Sequence, residues 1–70
     1  MSKTEAVQFL CDRGYDAYLE DAIVMVRTQK GGKFIQKKLD ELKRILSKAG
    51  YNASFGMTDK HGIVHEGGAL

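Results

Sequence analysis

The chain has no proline and no tryptophan, and a single cysteine, Cys11, among its 70 residues. One cysteine excludes an internal disulfide and points to a reducing compartment. No apolar run approaches the roughly eighteen residues that a membrane-spanning helix needs. The opening "MSKTEAVQFL" has neither the apolar core nor the small-residue cleavage site of a secretory signal. A soluble, cytoplasmic protein is expected. Charge of one sign is also scarce in excess: the formal net charge is +2. Any electrostatic partnership must therefore rest on where the charges sit, not on their sum.

What remains is an ordinary globular composition, 43% hydrophobic and 29% charged, which excludes a disordered tail. A chain this short buries only about 60% of the surface its unfolded form exposes, so its stability should be modest.

The first segment begins "SKTE", the capping-box pattern of serine followed three residues later by glutamate. Ala6, Val7, Phe9, Leu10 and Cys11 then gather on one broad helical face, and Gly14 stops the helix. These spacings predict a helix over 3–13, with Cys11 as a small core residue. In "YDAYLEDAIVMVRT" the period changes: Tyr15, Ala17 and Leu19 alternate with Asp16, Tyr18 and Glu20, and a β-branched run follows. A hairpin turning at Glu20–Asp21 is predicted. That turn lacks glycine, which leaves a longer loop or a shifted register open.

"QKGGKFIQKKLDELKRILSKAG" is the plainest element. Phe34, Ile35, Leu39, Leu42, Ile45, Leu46 and Ala49 fall on one helical face between Gly31–Gly32 and Gly50. A second hairpin follows: "YNASFGM", a "TDKHG" turn whose Gly62 can take positive φ, and "IVHE". Residues 67–70, "GGAL", are expected to form a flexible tail.

The phrase "RGYDAY" at 13–18 returns as "AGYNAS" at 49–54. Aligned without gaps, Phe9 meets Ile45, Leu10 meets Leu46, Gly14 meets Gly50 and Tyr15 meets Tyr51. Each copy reads as a helix, a glycine stop, a tyrosine and two strands. The expected fold is α+β with the order αββαββ: two helix–β-hairpin repeats, 3–28 and 31–66, in one domain over 1–66. They should form a four-stranded sheet with both helices on one face, since neither unit alone buries its helix.

Two surfaces are then left outside. In a tight first hairpin Tyr15, Ala17, Leu19, Ala22, Val24 and Val26 cover the core, and Tyr18, Ile23 and Met25 lie on the opposite, open face. They are a candidate protein interface, for self-association or for a larger partner. In the second hairpin Tyr51, Ala53, Phe55 and Met57 should point inward. On the long helix Lys33, Lys37, Arg44 and Lys48 fall within about 60° of one another, opposite the apolar stripe. Ahead of them "KGGK" sets Lys30, Gly31, Gly32 and Lys33 where bare amides and a helix dipole face an anion. Together they suit the phosphates of a nucleic acid or nucleoprotein. Asp40 and Glu41 lie close enough to pair with Lys37 and Arg44 instead, which would make this a solvated face.

Catalytic chemistry finds little footing. "KGGK" is not an ATPase phosphate loop, nor the clamp loop of a KH domain, and no aromatic pair matches the stacking strands of an RNA-recognition motif. His61 and His65 straddle a turn and a strand, so no metal site is expected. Asp12, Asp16, Glu20 and Asp21 sit around the first hairpin as solvated groups. A non-enzymatic binding module is expected, with no cofactor, no metal, no membrane partner and no small-molecule substrate.

Overall fold

A computed structural model describes residues 1–29, 31 and 33–67. Lys30, Gly32 and the last three residues of the expected tail lie outside the described residues. The protein is α+β, with two helices and a four-stranded mixed sheet. The order is α1 (Lys3–Asp12), β1 (Asp16–Glu20), β2 (Ile23–Arg27), α2 (Lys33–Ala49), β3 (Phe55–Thr58) and β4 (Val64–Glu66). In space the strands run β1-β2-β3-β4. β1–β2 and β3–β4 are antiparallel hairpins, while β2 and β3 pair in parallel across the α2 connection.

α1 begins with the predicted capping box: the Ser2 hydroxyl accepts from the Glu5 amide at 3.1 Å, and the Glu5 carboxylate accepts from the Ser2 amide at 2.9 Å. Both helices end alike. Gly14 and Gly50 take φ of 92° and 95°, a region that only glycine enters without steric cost. The amide after each glycine reaches back five residues, Tyr15 to the Leu10 carbonyl at 3.0 Å and Tyr51 to the Leu46 carbonyl at 2.8 Å. Both ends are Schellman caps.

Past the caps the two halves diverge. β1 starts immediately after Tyr15, whereas three residues separate Tyr51 from β3. Tyr15 is half-buried and its hydroxyl donates to Glu41, while Tyr51 is buried and donates to the Ser54 carbonyl. The repetition is carried by the helix ends. Ala53, expected to point inward, lies exposed in the extra residues before β3.

One core holds Ala6 and Leu10 of α1, Val24 and Val26 of β2, Ile35, Leu39, Leu42 and Leu46 of α2, and Phe55 and Met57 of β3. Besides Ala53, several expected core members are not in it: Leu19 is 44% exposed near the end of its strand and Ala22 is exposed in the hairpin turn. Cys11 is exposed, its thiol 3.5 Å from the Ala17 carbonyl, because α1 buries only the narrow arc of Ala6 and Leu10. Phe34 is 59% exposed in the first turn of α2, about 100° around the helix from Lys33 and well off the buried stripe. Ile45 is half-buried. Gly67, assigned to the tail, donates its amide to the Phe55 carbonyl at 2.9 Å.

The first hairpin settles the register question. Glu20 pairs with Ile23, so the turn is only Asp21–Ala22. Both residues take positive φ, 51° and 63°, the conformation of a type I′ turn. The tight register puts Ala17, Leu19, Val24 and Val26 on the core side.

Candidate nucleic-acid interface

Burial of Ile35, Leu39, Leu42 and Leu46 fixes the orientation of α2. Lys33, Lys37, Arg44 and Lys48 then stand on the arc facing away from the core, all exposed. From Lys33 to Lys48 this ridge runs about 22 Å at about 1.5 Å per residue.

The competing carboxylates are engaged elsewhere. Asp40 accepts from the Gln36 side-chain amide at 3.1 Å. Glu41 accepts from the Tyr15 hydroxyl at 3.0 Å, and its other oxygen lies 3.7 Å from the Lys38 ammonium. Burial, and then this bond to Glu41, raises the Tyr15 ionisation. Among the described residues no carboxylate forms an ion pair with Lys33, Lys37, Arg44 or Lys48.

Beside the ridge runs a shallow trough. One stretch of about 270 Å³ is lined by Lys37, Glu41, Arg44, Ile45 and Lys48. A neighbouring stretch of about 360 Å³ is lined by Phe9, Arg13, Ile45, Lys48 and Ala49. The shared residues Ile45 and Lys48 make them continuous along the seam between α2 and the end of α1. Arg13, whose guanidinium lies 4.6 Å from the centre of the Phe9 ring, adds a cation at the far end.

At the opposite end, a Cβ on Gly31 would meet the Lys60 side chain at 3.2 Å. Gly31 therefore lets the stem of Lys60, from the β3–β4 turn, lie across the entry to α2. The first turn of α2 carries no acidic residue. Of the predicted "KGGK" residues, Gly31 and Lys33 are placed here, and Lys30 and Gly32 lie outside the described residues.

Sequence reasoning missed Arg13, Lys60 and the exposure of Phe34. Arg13 and Lys60 reach the ridge only through tertiary packing, which local spacing does not encode. Phe34 could have been found from its wheel position beside Lys37 and Lys38.

The open sheet face has a different character. Tyr18, Met25, Gly56 and Glu66 form one row across the strands. Met25 is on the predicted side but only 4% exposed, and a Cβ on Gly56 would meet its sulfur at 2.9 Å. The thioether lies across the bare backbone of β3. A recess of about 150 Å³ remains, lined by Ile23, Met25, Ser54, Phe55, Gly56, Val64 and Glu66. Tyr18 is tied down: its hydroxyl lies 3.0 Å from the Thr58 hydroxyl, and the Arg27 guanidinium sits 4.7 Å from its ring centre. Of the three predicted interface residues only Ile23 is largely exposed.

His65 lies against Asp59, and His61 is exposed. No group of three or more potential metal ligands occurs among the described residues. No helix among them is long and apolar enough to cross a membrane. No family model, curated protein or solved structure matches the chain.

Proposed function

We propose that this protein is a small, non-enzymatic, cytoplasmic binding module that holds the phosphate backbone of a nucleic acid, free or in a nucleoprotein, along the outer face of α2. The two helices cover the same side of the sheet in this reading, supported by the single core that joins Ala6 and Leu10 to the α2 stripe. The observation that carries it is the state of the acidic residues on α2. Asp40 and Glu41 are held by Gln36, Tyr15 and Lys38, and among the described residues none of the four cations on the arc is ion-paired to a carboxylate. Lys and Arg so placed attract phosphates and release counterions, so binding should weaken steeply with salt.

Fluorescence anisotropy with labelled DNA and RNA at low and moderate salt tests this. The triple substitution Lys33→Glu, Lys37→Glu and Arg44→Glu should abolish the shift while the circular dichroism spectrum stays unchanged. A wild-type protein that shifts no DNA or RNA at low salt would end the proposal.

The recess between Ile23 and Val64 favours a second reading, a protein-interaction module working through the open sheet face. Ile23 and Val64 are 40% and 55% exposed on its rim. Ile23→Ser and Val64→Ser should then abolish self-association or partner capture. Light scattering at two concentrations separates self-association from a monomeric adaptor.

A further inference from the structure

We infer that the seam between α1 and α2 is a subsite for one unpaired nucleobase, so that the nucleic acid held on the ridge is single-stranded there. This rests on the nucleic-acid reading above and names its ligand class. The seam differs from the rest of the trough in what lines it. Phe9, Ile45 and Ala49 are half-buried and form its floor, while Arg13 and Lys48 are exposed at its edge. No carboxylate is among its lining residues. Asp12, the neighbour of Arg13 in the chain, accepts from the Gln8 side-chain amide at 2.8 Å. Among the described residues Arg13 forms no ion pair.

A ligand complementary to this seam carries an apolar surface for the floor and negative charge for the edge. A duplex offers the charge alone, because its bases are stacked inside. An unpaired nucleotide offers both, and single-strand binders combine cations with surfaces on which a base stacks. Arg13 and Phe9 are one helical turn apart, and the guanidinium lies over the ring, 4.6 Å from its centre. That contact restrains the guanidinium, and a base stacks on a guanidinium plane much as on an aromatic ring. Lys48 is common to the seam and the neighbouring stretch. Arg44 and Lys37 follow it back along α2 at rises of about 6 and 16 Å, in line for the phosphates beside the seated base.

The wild type, Arg13→Lys and Phe9→Leu are titrated at low salt by anisotropy. The labelled probes are oligo(dT), oligo(U), an abasic strand and a duplex of equal length, and a peptide of alternating Glu and Leu. The inference expects oligo(dT) or oligo(U) to bind more tightly than both the abasic strand and the duplex. Arg13→Lys keeps the charge and loses the plane. It should weaken binding of the base-bearing strand about tenfold, with the abasic strand and the salt slope unchanged. Phe9→Leu, its folding checked by a thermal transition, should do the same. An abasic strand or duplex that binds as tightly as the single strands overturns the inference and leaves the phosphate ridge intact, as does an Arg13→Lys protein that loses nothing. No shift with any oligonucleotide overturns both readings together, and peptide binding in that case gives the seam to a protein partner.

Discussion

The carboxylate of Asp59 lies 2.9 Å from Nε2 of His65, and its other oxygen accepts the amides of His61 at 2.8 Å and Ile63 at 3.0 Å. One side chain, 6% exposed, thus closes the β3–β4 turn and pins the last strand. The His65 bond is the main cause that lowers the Asp59 carboxyl from 3.8 to about 2; burial opposes it, and the two amides assist. A carboxyl held low in the folded state stabilises fully above its unfolded value and loses that contribution as pH falls through the folded one. Denaturant midpoints should therefore drop between about pH 4 and pH 2. Asp59→Asn should lower stability at neutral pH and flatten that acid slope. Parallel acid profiles for the two proteins would contradict the role given to Asp59.

The first hairpin carries a removable strain. Ala22 sits at φ 63°, and a left-handed non-glycine residue costs about 1–2 kcal/mol. Ala22→Gly should stabilise the fold by about 1 kcal/mol, after the loss to glycine's unfolded-state freedom. That is a rise of about 4–8 °C in Tm for a domain of this size. A calorimetric scan that shows a fall would contradict the two-residue turn.

Gly56 and Met25 should behave as a coupled pair. Gly56→Ala forces the Met25 sulfur away from β3, an overpacking that costs about 1–3 kcal/mol. With Met25→Ala already present, the clash with the sulfur is gone and only the His65 carbonyl at 3.3 Å crowds the added methyl, so the same change should cost at least about 0.5 kcal/mol less. Urea denaturation of the double-mutant cycle measures the difference.

Tyr15→Phe links the fold to the ridge. It removes the donor to Glu41 and should cost about 1 kcal/mol of stability. The freed carboxylate can then swing toward Lys37 or Arg44, which share its stretch of the trough. Oligonucleotide binding at low salt should weaken severalfold, although no cation has been altered. Unchanged binding would show that Glu41 does not govern the free cations.

The sequence made some of this plain and concealed the rest. The capping box, the α2 stripe and the two glycine stops depend on neighbours within one turn, so Ser2, Leu39 and Gly50 could be placed from spacing alone. The lysine arc follows from the same period. Phe34 and Cys11 were misplaced because an apolar residue near the rim of a helical face looks like a core residue until the neighbouring elements are docked. The halves resemble each other through the caps, but the three residues between Tyr51 and β3 answer to where β3 must meet β2, a long-range demand. Ala22 bends in a way its residue type disfavours, because the pairing of Glu20 with Ile23 leaves two residues for the turn. The hydrogen bond from Tyr15 to Glu41 joins residues 26 positions apart and has no local trace.

The parallel seam of β2 with β3 has a kinetic consequence. Each hairpin can close locally within microseconds, but a lone two-stranded ribbon is marginal in water. The seam pairs Val24 with Phe55, from opposite sides of α2 in the chain. Neither ribbon persists until the helix has docked and drawn the other alongside. The lysine arc can form with α2 alone, but the trough needs Phe9 and Arg13 beside that helix, so its completion is expected to wait on commitment to the native state.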